Sequence, residues 1–374
     1  MRALKTFFLY LTIFFAARTQ AKNAVIFIGD GMGITTVTAA RIFEGQQLGV
    51  DAEAHSLSFE SFPNVAFVKT YTTDGQIPDS AGTMSAIMTG RKTRSGVISV
   101  GPEYLRGNCD SVSKDSSPTM VEIVEDAGLV TGLISTSRIT DATPAATYAH
   151  SPDRKWENDT SIPEEARQKG CSDIAKQLVE FSHGDGIDLI LGGGRENFLP
   201  NTSKDAEYPA IMGKRSDGRN LIEEWLAGRS QRKYIWNKEQ FKNLAVDDKQ
   251  QILGLFEPRE MFFDAERLRG AGNEPSLEEM TEFAIKFLQK RQGDKGFLLV
   301  VEGARIDHGN HFKNPYLALS DTVAFSNAIR KALSLVDLAD TLLVVTADHS
   351  SALAFTGYPE RTMPVLASLS YPSF

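Results

Sequence analysis

The chain has 374 residues, 41% of them hydrophobic, with 40 Lys and Arg against 48 Asp and Glu for a formal charge of −8. That hydrophobic content supports a substantial core and excludes a disordered polymer. The acidic balance argues against a nucleic-acid binder, which would carry a basic face.

Residues 1–21 separate from the rest: Arg2 and Lys5 precede the apolar run FFLYLTIFFAA, which closes on small residues at Ala21. This is the pattern of a signal peptide, so a secreted protein is expected, extracellular or periplasmic. The run is too short to span a bilayer and no later stretch reaches 18 apolar residues, so no transmembrane segment is expected. Cys109 and Cys171 are the only cysteines. An even count in an exported chain favours one disulfide over two buried thiols. Asn158 (NDT) and Asn201 (NTS) match the glycosylation pattern.

In chain order, NAVIFIG (23–29) reads as a strand that runs into Asp30, and VAFVKT (65–70) as a strand leading toward IPDSAGTMSAIMTG (77–90). There Pro78 and the small residues after it suit a tight entry into a helix that stops at Gly90. A serine at such an entrance, here Ser80, is most often a helix cap. The same position also aims backbone N–H groups and the positive helix end at any anion present. SPTMVEIVEDAG predicts a helix with Ser117 as N-cap, Pro118 as first helical residue and Gly128 as stop.

Further strands are GLVTGLIST (128–136), IDLILGGG (187–194), GFLLVVEG (296–303) and TLLVVTADH (341–349). Continuous rather than alternating apolar runs indicate strands covered on both faces, hence a mostly parallel sheet. Residues from about 195 to 275 are polar with scattered apolar positions and read as a cap or insertion over that sheet. SLEEMTEFAIKFLQKRQG then predicts a helix opened by the capping box Ser276 and Glu279. Alternation of strands and helices gives an α/β fold, a three-layer αβα sandwich with a mostly parallel central sheet.

Three strands end in acids: Asp30, Glu302, and Asp348 with His349 after it. Ligands gather at the carboxyl ends of such strands, and three acids together repel one another unless a cation lies among them. In VEGARIDHGNH, Asp307 and His311 are four apart and share a face if the stretch is helical. Mixed carboxylate and imidazole ligands suit zinc, and oxygen-only sets suit magnesium. A nearby zinc would turn the Ser80 hydroxyl into a nucleophile. His55, His150 and His183 lack such neighbours in sequence and are read as structural.

FIGDGMG, PDSAGT, DATPAATYAHSPDRKW, VEGARIDHGNH and VTADHS, in this order and spacing, resemble the alkaline phosphatases, and the similarity runs from residue 23 to about 360. The resemblance implies phosphomonoester hydrolysis through a phosphoserine at Ser80, at a site with two Zn2+ and one Mg2+. Asp30 would bridge one zinc and the magnesium, with Asp348 and His349 completing that zinc's shell. Asp307 and His311 would serve the second zinc, and Thr143 and Glu302 the magnesium, with Asp141 nearby. Arg154 would clamp phosphate oxygens, and His308 would stand behind the metal ligands. Glu207, Phe256 through its carbonyl, Glu257 and Glu274 correspond to a calcium site of the animal members. Small phosphomonoesters are the implied substrates and a homodimer the implied assembly.

The family's second zinc takes a further histidine downstream of TADH, and no histidine follows His349 here. The expectation is therefore a signal peptide at 1–21 and a C-terminally truncated catalytic domain at 22–374, with a sheet edge left uncovered. The alternative is a catalytically impaired form that binds phosphate and metal. A sulfatase on the same metal scaffold would need Cys or Ser followed by x-Pro-x-Arg, which DSAGT lacks.

Overall fold

The computed structural model describes residues 21–109, 117–244 and 249–366, so the expected signal peptide lies, but for Ala21, outside the described residues. Seven strands form one sheet: β1 (Asn23–Gly29), β2 (Val130–Arg138), β3 (Leu189–Gly193), β4 (Arg232–Ile235), β5 (Gln251–Leu255), β6 (Phe297–Gly303) and β7 (Thr341–Ala347). Their order is β4-β5-β3-β2-β6-β1-β7, and every neighbouring pair is parallel.

Side-chain alternation on these strands feeds two cores, one on each face. On β1, Ile26 and Ile28 join one apolar cluster while Val25 and Phe27 join the other; on β6, Leu298 and Val300 oppose Leu299 and Val301 in the same way. The helices that bear on the site are α1 (Ile34–Leu48), α2 (Ser80–Thr89), α3 (Met120–Asp126), α4 (Ala142–Ala145), α5 (Leu277–Arg291), α6 (Arg305–His311) and α7 (Pro315–Leu333). The first cluster takes Met84 of α2, Val121 of α3 and Ala142 of α4; the second takes Leu288 of α5 and Phe325 of α7. Full burial of the larger of these side chains, all but Ala142, contributes about 1.5–3 kcal/mol each. Phe27 meets Phe325 edge-on, ring centres 5.8 Å apart, and its truncation to alanine would cost about 3–5 kcal/mol.

The structure departs from the sequence-based expectations at four places. β4 and β5 lie inside the stretch assigned to a cap, so part of 195–275 extends the sheet instead of covering it. The N-cap of α3 is Thr119, not Ser117, because Thr119 and Glu122 form a reciprocal capping box that satisfies two backbone N–H groups. The box at Ser276 and Glu279 on α5 forms as expected. VAFVKT is no strand: among the described residues it has no ladder partner, and Val65 (92%) and Phe67 (89%) stand exposed. Asn158 is buried and donates to Asn197 Oδ1 at 2.8 Å, which leaves no room for a glycan, whereas Asn201 is exposed.

Lys92 Nζ fastens the end of the VAFVKT segment by donating to the carbonyls of Lys69 and Tyr71 at 2.8 and 2.7 Å. β7 pairs with β1 alone among the described residues and is less covered than the inner strands, with Leu342 exposed. Cys109 and Cys171 are joined in a disulfide, Cα atoms 6.0 Å apart. No helix among the described residues is long and apolar enough to cross a membrane.

Candidate active site

The carboxyl ends of β1, β6 and β7 open onto one cavity of about 770 Å³. Its lining includes Asp30, Ser80, Asp141, Arg154, Asp307, His308, His311 and His349. Thr143, Glu302 and Asp348 lie buried beneath it. Residues scattered over 320 positions of sequence thus meet at the strand ends, as an open parallel sheet requires.

Ser80 is the first residue of α2, not its cap. Asp79 is the N-cap, its carboxylate accepting from Gly82 N at 3.1 Å. The Ser80 hydroxyl is therefore released from local duty and lies 5% exposed, 3.3 Å from Asp30 Oδ1 and 3.2 Å from His349 Nε2. The Asp79 carboxylate also accepts from Gly96 N and from Arg154 Nη1 at 3.1 Å, so one side chain fixes both the helix start and the guanidinium beside it. Arg154 is held on its other side by Asp141 at 3.2 Å.

Asp30, Asp348 and His349 bring one ligand atom each within 4.8 Å of one another, the only such His/Cys/Asp/Glu group among the described residues. Asp348 is oriented by Gly31 N at 3.1 Å and by the Thr83 hydroxyl at 3.0 Å. Burial, then repulsion from Asp348, Asp307 and Glu302, pushes the Asp30 carboxyl well above the usual carboxylate range. Glu302 accepts from Ser135 Oγ at 2.5 Å, yet burial, with repulsion from Asp141 and Asp348, pushes it up to about 8. The Thr143 hydroxyl is buried without a hydrogen-bonding geometry to any partner, although near enough to Glu302 to ease its charge slightly. Arg154 offsets only part of the repulsion at Asp30, and a divalent cation would supply the rest of the missing positive charge.

Asp141 behaves differently. Burial opposes its charge, but Arg138 at 3.2 Å and then Arg154 hold it well below the ordinary range. His308 Nε2 stands 4.0 Å from Asp141 Oδ2, and its Nδ1 accepts from Arg305 at 2.8 Å. On α6, Asp307 and His311 do share a face, Oδ2 to Nε2 3.0 Å, with the His311 side chain 74% exposed. Asp307 packs against the turn after β1, where Gly31 has φ +61° and a Cβ would lie 2.3 Å from Asp307 Oδ1; only glycine fits.

A second acidic group lies at Glu207, Glu257 and Glu274, beside Phe256. Burial, then the neighbouring acids, pushes Glu257 up to about 8 and Glu274 up to about 9. Burial also raises Glu207. Glu207 Oε2 and Glu274 Oε2 are buried with no hydrogen-bond partner. Arg195, paired with Asp205, also stands with Nη2 3.7 Å from Glu207 and offsets only part of the charge of Glu207 and Glu257.

Sequence reasoning missed Asp79, Thr83, Ser135 and Arg138, which orient the residues it did find. Only Asp79 carried a signal, an Asp after proline at a helix start.

A family model described as alkaline phosphatase matches residues 21–371. The chain is 42% identical over 349 residues to an alkaline phosphatase of Gadus morhua, covering 92% of this chain and 72% of that protein. It is 42% identical over 347 residues to the tissue-nonspecific isozyme of Homo sapiens, covering 91% and 65%. Among solved structures it is similar to the alkaline phosphatase of Thermus thermophilus, with a TM-score of 0.70 at 25% identity over 89% of this chain and 60% of that one. The chain thus spans about two thirds of the length of these relatives. The family model spans every described residue and a relative covered over 72% of its own length is 42% identical, so the chain belongs to the alkaline phosphatase family.

Proposed function

We propose that this chain hydrolyses phosphate monoesters to an alcohol and inorganic phosphate, with Ser80 as the nucleophile. The observation that carries the reading is the Ser80 hydroxyl, placed at a helix N-terminus between Asp30 and His349 and facing the same cavity as Arg154. Asp30, Asp348 and His349 would hold one zinc, Asp30, Thr143 and Glu302 a magnesium, and Asp307 and His311 would supply two of the ligands that a second zinc needs. The orphaned Thr143 hydroxyl and the raised Asp30 and Glu302 carboxyls support the fit. Bound there, such ions would lower the pKa of the Ser80 hydroxyl and neutralise charge on the phosphoryl oxygens.

Ser80 Oγ attacks phosphorus in line and gives up its hydroxyl proton, the P–O bond to the alcohol breaks, and that proton, carried through water, ends on the departing alcohol oxygen. A water then attacks the phosphoserine and the Oγ–P bond breaks, returning Ser80 and releasing phosphate. Two inversions give net retention at phosphorus. Arg154 presents its remaining N–H groups to the transferring oxygens, a geometry that lysine cannot reproduce. Asp79 and Asp141 hold that guanidinium in place before substrate arrives, so little ordering is left for the bound state. The first helical N–H groups of α2 add partial positive charge at the same point.

Glu207, Glu257, Glu274 and the Phe256 carbonyl would offer an oxygen-only set of the kind calcium takes, and the orphaned oxygens of Glu207 and Glu274 support it. The three carboxylates, which do not all lie within 4.8 Å of one another, would have to draw together on binding. The match of residues 1–21 to a signal peptide supports export.

Acid quenching after brief exposure to a 32P-labelled monoester tests the reading. Label is expected on Ser80 and absent from Ser80→Ala; label on another residue, or hydrolysis undiminished in Ser80→Ala, would overturn it.

A further inference from the structure

We propose that His150, His183 and Glu122 form a zinc site separate from the catalytic cavity. The sequence keeps these residues far apart, and each histidine taken alone reads as structural. The fold aims both imidazoles at one carboxylate oxygen: His150 Nε2 lies 2.9 Å and His183 Nε2 3.4 Å from Glu122 Oε1.

The opposite ring nitrogens are both anchored. His150 Nδ1 donates to the Ser99 carbonyl at 2.6 Å and His183 Nδ1 to Asp126 Oδ2 at 2.9 Å. An imidazole tied through Nδ1 to a carbonyl or carboxylate presents Nε2 as its ligand atom, and metal-binding histidines are commonly held this way. Glu122 is fixed as well, because its other oxygen accepts from Thr119 N at 2.7 Å in the capping box of α3. The backbone of His150 is clamped by Gln177, which accepts from its N–H at 2.9 Å and donates to its carbonyl at 3.1 Å. Burial would raise the Glu122 carboxyl, but the hydrogen bond and charge of His150 hold it below its ordinary value. Burial opposes the charge of His150, yet Glu122 and the Ser99 carbonyl hold its pKa up, so zinc would take the Nε2 position by displacing a proton.

Two imidazoles and one carboxylate are a zinc donor set that leaves a fourth position to water. Metal–ligand distances of about 2.0–2.1 Å in a tetrahedron put ligand atoms roughly 3.3 Å apart, near the 2.9 and 3.4 Å found on two edges. The third edge, between the two Nε2 atoms, exceeds 4.8 Å and must close on binding. His183 is the side chain able to move, being 37% exposed between the Ile174–Val179 helix and β3. Access comes from a cavity of about 440 Å³ that both histidines and Glu122 line, and none of its lining residues belongs to the catalytic cavity.

The test uses the whole disulfide-bonded chain, stripped with chelator and titrated with Zn2+ at pH 7.5. The comparison is made in an Asp348→Asn background, so that the catalytic centre contributes less. His183→Ala is expected to bind one zinc fewer than its parent, with its far-ultraviolet circular dichroism unchanged. Asp126→Asn, which loosens His183 without removing a ligand, is expected to weaken that zinc by roughly 10–100-fold. Ser182→Ala is expected to keep it. Equal zinc counts and affinities in parent, His183→Ala and Asp126→Asn would overturn the assignment, as would loss of the same zinc in Ser182→Ala.

Discussion

Stripping the divalent ions should make this fold less stable as pH rises, the reverse of ordinary acid denaturation. Glu302 is buried and pushed up to about 8 by that burial and by Asp141 and Asp348, and burial with the neighbouring acids raises Asp30 in the same direction. With the folded value above the unfolded one, the folded chain binds more protons. The resulting stability is full below about pH 4.5 and is lost as pH rises through about 8. For Glu302, a rise from 4.5 to about 8 at 1.36 kcal/mol per unit sets a ceiling of about 5 kcal/mol. For a chain of this size that corresponds to a fall of several degrees in the melting midpoint, on the order of 5 °C. The assay is a thermal melt in excess chelator and in zinc plus magnesium, at pH 5, 6.5 and 8. The chelated chain should melt progressively lower while the loaded chain holds, and adding metal at pH 7 should release protons. Glu302→Gln should flatten the chelated series. A gap of constant size across the three pH values, or a chelated chain more stable at pH 8 than at pH 5, would refute the electrostatic account.

Arg154→Ala should weaken inhibition by inorganic phosphate roughly 10–100-fold, the worth of charge-assisted hydrogen bonds; an unchanged inhibition constant would remove Arg154 from phosphate binding. Thr83→Val deletes the hydroxyl that orients Asp348 at 3.0 Å, so zinc affinity at the Asp30, Asp348 and His349 group should fall about tenfold or more, read by competition with a chromogenic chelator. Glu125 is buried, with Oε2 unpartnered, and is pushed up to about 8 by burial and then by Asp188 and Asp185. Its stability contribution is likewise lost as pH rises toward 8, so the advantage of Glu125→Gln should grow from pH 5 to pH 9, and parallel denaturation curves would contradict this. Cys171→Ala should cost about 2–4 kcal/mol in urea denaturation by releasing the constraint across the 62-residue separation.

Strands buried on both faces were readable because their apolar runs are uninterrupted, as in β1 and β6, whose seven residues each are almost wholly buried. β4 escaped because only Ile235 among its four residues is buried, and β5 because Gly254 breaks a five-residue run. Apolar content alone misled at VAFVKT, where no partner strand meets it among the described residues. At the cavity beside Ser80 the acids and histidines proposed as ligands were readable because they follow strands. The groups that aim them were not, since the hydroxyls of Thr83 and Ser135 look like any other small polar residue until the fold brings them within 3.0 Å of a carboxylate. The same blindness hid the convergence of His150 and His183 on Glu122, which exists only in three dimensions.

Two separate features, β7 pairing with β1 alone among the described residues and the exposed Val65 and Phe67, bear on how this chain behaves as a colloid. A strand paired on one side offers hydrogen-bonding groups to any neighbour that drifts alongside, and exposed apolar side chains reward the encounter. What keeps molecules apart is their shared negative charge, −8 over the whole sequence. That repulsion reaches about 30 Å at 0.01 M salt and only about 8 Å at 0.15 M. Solutions should therefore stay clear at low ionic strength and turn turbid as salt is added, with scattering that grows with protein concentration. A glutamate in place of Val65 or Phe67, which removes apolar surface and adds to the negative charge, should move that threshold to higher salt, and neither residue lines the cavity beside Ser80.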